Sequence, residues 1–231
     1  MDRIARTARE RAEPCRETAN RRNLADPIIE KDFWVCWTLS KLFDEPDKRP
    51  SLLFKGGTTL SKVFGVINRF SEDIDLSLDR HDLGFEGERD PSNVTSGKKT
   101  GKLLDELEQV AIDYVRDGLV PNLRSKFTEV IGNSPPWSLE IDGAQPLLVV
   151  FSYPKVPSSV DPPGARYMEP AVRLEFGARS EHWPAQIYEI KPYAPRSFPI
   201  RSGMLLSPSR RWKRCGRFGK RPPFSMPSST A

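Results

Sequence analysis

Lys55-Gly56-Gly57-Thr58 followed, after an intervening run, by Asp73-Ile74-Asp75 is a spacing with chemical content. The apolar run Leu52-Leu53-Phe54 reads as a strand ending in the two glycines, where backbone can approach a ligand closely and positive φ is tolerated. Thr58 to Phe64 has helix-compatible composition, and the first N–H groups of a helix lack intrahelical partners and attract anions. Asp73 and Asp75 stand two apart on a second predicted strand, so they share one face while Ile74 and Leu76 share the other. Two carboxylates on a rigid strand near an anion-binding turn suit a hard cation carrying a phosphate. Magnesium takes one or two protein carboxylates and leaves its other positions to water and phosphate oxygens. A solvent-facing acidic strand produces the same alternation. It is the order of glycine turn, helix and Asp-x-Asp that points to phosphoryl transfer, because each part supplies something that reaction needs.

These residues carry a resemblance. Lys55-Gly56-Gly57-Thr58-Thr59-Leu60 and Arg69-Phe70-Ser71-Glu72-Asp73-Ile74-Asp75-Leu76 closely resemble the signature of the AbiEii/AbiGii toxin family of nucleotidyltransferases. Glu30-Lys31-Asp32-Phe33-Trp34-Val35 and Val172-Arg173-Leu174-Glu175-Phe176-Gly177-Ala178-Arg179-Ser180 are similar to further segments of that family, so the likeness covers roughly residues 20–195. It implies an α+β fold with a polymerase-β-like nucleotidyltransferase core, a mixed sheet flanked by helices. It also implies a toxin of a bacterial toxin–antitoxin or abortive-infection system.

The activity implied is transfer of a nucleotide from a nucleoside triphosphate to a hydroxyl on an RNA, tRNA-like, acceptor, with Mg2+ as cofactor and a cognate antitoxin as partner. In that reading Lys55, Gly56, Gly57 and Thr58 bind the nucleotide, and Asp73 and Asp75 are catalytic and hold the metal. Ser71 either touches the triphosphate or caps a turn, and Arg69 either binds phosphate or forms an ion pair. Transferases of this kind need a third carboxylate from a separate strand. In the predicted strand Ala171 to Phe176, Val172, Leu174 and Phe176 form one face and Arg173 and Glu175 the other, which makes Glu175 the candidate. Glu140 and Asp142, alternating with Leu139 and Ile141, are the alternatives.

The elements that must position these residues follow from pattern. A chain of 231 residues makes one or two domains. Its first twenty-five residues hold no apolar block, and its longest apolar runs, Phe33 to Trp37 and Leu147 to Phe151, are too short to span a bilayer. Cys15, Cys36 and Cys215 are widely spaced and odd in number, which argues against a disulfide framework or zinc site, and a cytoplasmic location is expected. Residues 1–22 read as a charged, loosely attached surface helix broken at Pro14, ahead of a nucleotidyltransferase domain over 23–200. A helix starting at Asp26-Pro27 is apolar over most of its circumference and therefore buried on several sides; Glu30, Lys31 and Asp32 in its first turn read as surface charge. Arg80 to Thr100 reads as a loop, 102–117 as an amphipathic helix and Pro121 to Val130 as a second one. Strands are expected at Trp137 to Ile141, Leu147 to Tyr153, Ala171 to Phe176 and Gln186 to Ile190.

Charge is unevenly placed. Residues 201–231 contain eight basic residues and no acid, so the formal +5 of the whole chain leaves 28 basic against 31 acidic residues, or −3, elsewhere. This tail has no apolar periodicity and repeats Pro, Gly and Ser, so it is expected to be disordered. The resemblance implies, in its place, a helix opening on a motif like R-T-F-W-E-K with a functional lysine, and a later R-x-x-x-D-L segment; neither is present. Codons can be chosen for Gly216 to Pro227 whose shifted frame reads R-T-F-W-E-K-A-T-I-L-H-A. The expectation is a frameshifted tail, a missing C-terminal helical domain and an inactive chain. The rival readings are a catalytically dead fold remnant and an RNA-binding module acting through the tail with Trp212 and Phe218.

Overall fold

The computed structural model describes residues 1–45, 49–57, 59, 73–133, 136–156, 169–182, 186–190, 192–193 and 203–206. Seven strands form one mixed sheet: β1 Leu52–Lys55, β2 Asp73–Leu78, β3 Ser138–Ile141, β4 Leu148–Ser152, β5 Ala171–Gly177, β6 Gln186–Glu189 and β7 Gly203–Leu206. Their order is β3-β4-β5-β2-β1-β7-β6. β1 and β2 pair antiparallel, whereas β2 and β5 run parallel at the centre. The first six strands lie where alternation and turn residues put them. β7 lies inside the segment read as an unstructured tail; its backbone pairs parallel with β1 at Phe54 and antiparallel with β6, giving the outer side of β1 a ladder partner. The rest of that tail, 207–231, and with it the frameshift reading, lies outside the described residues.

Helix α3, Asp26–Leu42, starts with proline in its first turn as expected, and all but its ends are buried. Phe33, Trp34 and Trp37 pack with Ile74, Leu76, Val172, Leu174 and Phe176 in one core. Phe151 of β4 sits at the middle of an aromatic cluster, with ring centroids 5.6 Å from Trp34, 6.0 Å from Trp37 and 4.7 Å from Phe127. Offset and edge-on rings at such separations add to the apolar area they bury. Helix α4, Gly97–Tyr114, continues through a π-helical turn at Val115–Leu119 into α5, Val120–Ile131. The π turn takes in Gly118, and Pro121 falls in the first turn of α5, where its missing N–H costs nothing; in sequence the stretch between 117 and 121 reads as a break between two helices. Arg80 to Ser96 is ordered by two short 3-10 turns, with Phe85 fully buried and Asp90 bonded to Ser92 and ion-paired to Arg80.

Two expectations are corrected. The N-terminal segment is helical, as α1 Asp2–Arg6 and α2 Ala8–Arg22, but it breaks at Thr7 and runs straight through Pro14. Nor is it loosely attached: Arg11, only 1% exposed, donates to the carbonyls of Ala5 and Pro154 at 2.7 Å each and lies over the Trp34 ring at 4.7 Å. Likewise Glu30, Lys31 and Asp32 are not surface charges; they are 6%, 1% and 1% exposed. The Glu30 carboxylate accepts from the Val156 N–H at 2.9 Å and pairs with Arg11 at 3.5 Å. Lys31 donates to the Glu169 carbonyl at 3.3 Å, and Asp32 accepts from the Tyr193 N–H at 2.6 Å. Buried charges survive because each is paired or hydrogen-bonded.

Candidate active site

β1 ends at Lys55, and the chain then turns at Gly56 with φ +82°, a conformation that side-chain-bearing residues rarely adopt. The turn lies against Asp75: a Cβ on Gly56 would stand 1.6 Å from Asp75 Oδ2 and 2.8 Å from its Cβ. The Gly57 N–H donates to the Asp75 carboxylate. Gly57 and Thr59 have helical geometry, in keeping with a helix beginning at the turn. Thr58, Arg69 and Ser71 lie outside the described residues.

β2 alternates as read. Ile74 and Leu76 are fully buried in the core, and Asp73 and Asp75 face the other way, half-buried. The parallel register of β2 on β5 sets Asp73 opposite Arg173 and Asp75 opposite Glu175, while β1 sets Lys55 on the far side of Asp75. One face of three adjacent strands therefore carries Lys55, Asp75 and Glu175 in a row, with Asp73 and Arg173 in the next row at 3.8 Å from each other. Glu140, by contrast, is exposed on β3, two strands from β5 and three from β2, and Asp142 accepts from the Ala144 and Gln145 N–H groups to close a turn; neither lies beside the Asp pair.

Electrostatics follow from this crowding. Asp75 is pushed above the ordinary aspartate range, first by burial and then by Asp73, against the opposing pull of Lys55 and of the Gly57 N–H. Glu175 is also raised, by partial burial and then by Asp73 and Asp75, with Arg173 opposing. Like-charge crowding thus contributes to both shifts, although desolvation is the larger cause. The Lys55 amine donates to Ser180 Oγ at 2.8 Å; burial lowers its pKa and Asp75 raises it. Arg173 and Ser180 are the residues that sequence reasoning left without a role. Alternation placed Arg173 on the right face, but only the β2–β5 register shows that it meets Asp73.

Among the described residues no group of three or more His, Cys, Asp and Glu side chains stands close enough to hold a metal ion. Asp73 and Asp75 nevertheless fit magnesium in donor chemistry, since both offer hard oxygen ligands and that ion needs one or two protein carboxylates. The close approach of Asp75 to Gly56 brings this carboxylate to the turn whose N–H groups suit phosphate.

A carboxylate face on a mixed sheet beside an anion-friendly glycine turn suits phosphoryl-transfer enzymes. Comparison with known proteins narrows this: residues 37–209 match the profile of the family described as "Nucleotidyl transferase AbiEii toxin, Type IV TA system", and the chain belongs to that family. Its class is therefore that of nucleotidyl transferase toxins of type IV toxin–antitoxin systems. No curated protein and no solved structure matches the chain. No helix among the described residues is long and apolar enough to cross a membrane.

Proposed function

We propose that this chain carries a magnesium-dependent nucleotidyltransferase site on a polymerase-β-like core, built to transfer a nucleotide from a nucleoside triphosphate to a hydroxyl of RNA. The observation that carries the reading is the row Lys55, Asp75, Glu175 across three strands, with Asp75 seated against the Gly56 turn. Asp73 and Asp75 are the residues that would hold magnesium, whose bound charge offsets that developing on the transferring phosphoryl group and the leaving pyrophosphate. Gly56 and Gly57 admit the triphosphate by backbone, and Lys55 adds positive charge beside it. The raised Glu175 carboxyl is suited to taking the proton of the attacking hydroxyl, since a base works best when its pKa lies nearer the working pH. Arg173 holds Asp73 in place against β5.

Binding is the first test, because the R-T-F-W-E-K-like motif that the resemblance implies is not found in the sequence of residues 201–231. In titrations with a fluorescent triphosphate, Asp73→Asn and Asp75→Asn should each abolish the magnesium-dependent part of binding while thermal unfolding stays cooperative. Magnesium-dependent binding retained by both variants would sink the assignment.

A further inference from the structure

Lys55 and Asp75 stand opposite each other on the antiparallel pair β1–β2, with their side chains on one face of the sheet. Directly opposed residues on such a pair have Cβ atoms about 5 Å apart, so a lysine there reaches a carboxylate with ease. Here it does not take it. The Lys55 ammonium donates instead to Ser180 Oγ at 2.8 Å. The Asp75 carboxylate lies against Gly56 and accepts from the Gly57 N–H. Among the described residues the two opposite charges form no ion pair with each other, and Asp75 acts on the lysine only at longer range.

Ser180 is itself held from both sides. Before it, Ala178 is buried in the core and Arg179 is ion-paired with Glu108 of α4. After it, the largely buried His182 hydrogen-bonds the Leu78 backbone and lies 3.7 Å from the Asp79 carboxylate. The segment leaving β5 is thus tied to α4 on one side of Ser180 and to the end of β2 on the other. Its hydroxyl stands at a set place beside the row Lys55, Asp75, Glu175.

We infer that Ser180 is a positioning residue that holds the Lys55 ammonium off Asp75, keeping the lysine charge for a phosphate and the carboxylate for a metal ion. The inference rests on the proposed triphosphate site and adds what keeps its opposite charges apart. Two arguments carry it. The first is the chemistry of the partner. A hydroxyl is a neutral acceptor: it satisfies one of the three ammonium N–H donors without cancelling the charge, and leaves the other two for a ligand. A carboxylate in the same place would satisfy the lysine and neutralise it. The second concerns Asp75. An ammonium seated on its oxygens would compete with a cation for them, and the serine removes that competitor without removing the positive charge from the site.

The test compares Ser180→Ala, Ser180→Thr, Lys55→Met and the double variant Ser180→Ala with Lys55→Met, each in the full chain. Titration with magnesium and a fluorescent triphosphate measures affinity, and a crystal structure of Ser180→Ala locates the lysine. Ser180→Ala should weaken binding severalfold, and Ser180→Thr, which keeps a hydroxyl, should recover most of the loss. Lys55→Met should weaken binding about tenfold, and adding Ser180→Ala should then change little, because the serine acts through the lysine. In the crystal structure Lys55 Nζ should lie at ion-pair distance from Asp75. Unchanged affinity in Ser180→Ala overturns the inference, and so does a loss that persists undiminished in the Lys55→Met background. A Lys55 side chain that stays off Asp75 in Ser180→Ala overturns it as well. A chain that binds no magnesium–triphosphate sinks the proposed function, while the crystal structure still decides whether Ser180 separates the pair.

Discussion

At the residue scale, Gly56 is the position where backbone geometry and chemistry coincide. Its φ of +82° and the Asp75 carboxylate at its Cα face exclude a side chain for separate reasons. Gly56→Ala should lower stability by about 1–3 kcal/mol, part from left-handed strain and part from displacing Asp75. In urea melts, adding Asp75→Ala to Gly56→Ala should recover part of that loss as a coupling energy, because the two side chains compete for one space. Strict additivity would show that the contact is not the cause. Glu175 gives a second prediction. Its pKa is raised in the fold, so between the ordinary glutamate value and the raised one the folded chain binds more protons than the unfolded chain. Stability of the metal-free protein therefore falls as pH rises through that window, and Asp75 acts in the same direction. Glu175→Gln should flatten this slope and shift stability at neutral pH by no more than about 0.5 kcal/mol, since the group is largely exposed. Metal-free melts across the acid range check both points; a slope equal to that of the unsubstituted chain refutes the crowding.

At the scale of elements, α2 and α3 are joined by a buried ion pair that neither helix announces in sequence. Arg11 lies 1% exposed against Glu30, and its guanidinium also meets the Ala5 and Pro154 carbonyls. Burial raises the Glu30 pKa, and Arg11 and the Val156 N–H pull it back. Removing one partner strands the other, so Arg11→Ala should cost about 3–5 kcal/mol, while Arg11→Met combined with Glu30→Met should cost much less than the sum of the single changes. Chemical denaturation of the four proteins measures this; equal and additive losses would argue that packing alone matters. The same pair shows what could be read from the chain. Strands β1 to β6 were legible because side-chain alternation is local, and Asp73, Asp75 and Glu175 were assigned to the same kind of face by that rule. The burial of Arg11, Glu30, Lys31 and Asp32 was not, because their partners at Pro154, Val156, Glu169 and Tyr193 are more than a hundred residues away. Register is equally non-local, which is why Arg173 emerged as the partner of Asp73 only from the pairing of β2 with β5.

At the scale of the whole molecule, the sheet divides labour between its faces. One face carries Phe54, Ile74, Leu76, Leu174 and Phe176 into the helical core, and the other carries Lys55, Asp73, Asp75, Arg173 and Glu175. That second face is acidic on balance, and so is the chain up to residue 200, at −3. An RNA acceptor of the proposed reaction would therefore gain its long-range attraction from elsewhere, and residues 207–231, with seven basic residues and no acid, are the segment able to supply it. Phosphate contacts release counterions, so each one lost reduces the dependence of binding on salt by about 0.7 in the logarithmic slope for single-stranded nucleic acid. Deleting 207–231 should lower affinity for a labelled single-stranded RNA at low salt and reduce that slope by roughly 3 to 5, if most of the seven charges make contact. Magnesium–triphosphate binding should be unchanged, because Asp73, Asp75 and the Gly56 turn belong to the sheet. Anisotropy titrations at several salt concentrations measure the slope directly. The same slope with and without the tail would mean that RNA is held by the sheet face alone. A simultaneous loss of triphosphate binding would instead make the tail part of the nucleotide site.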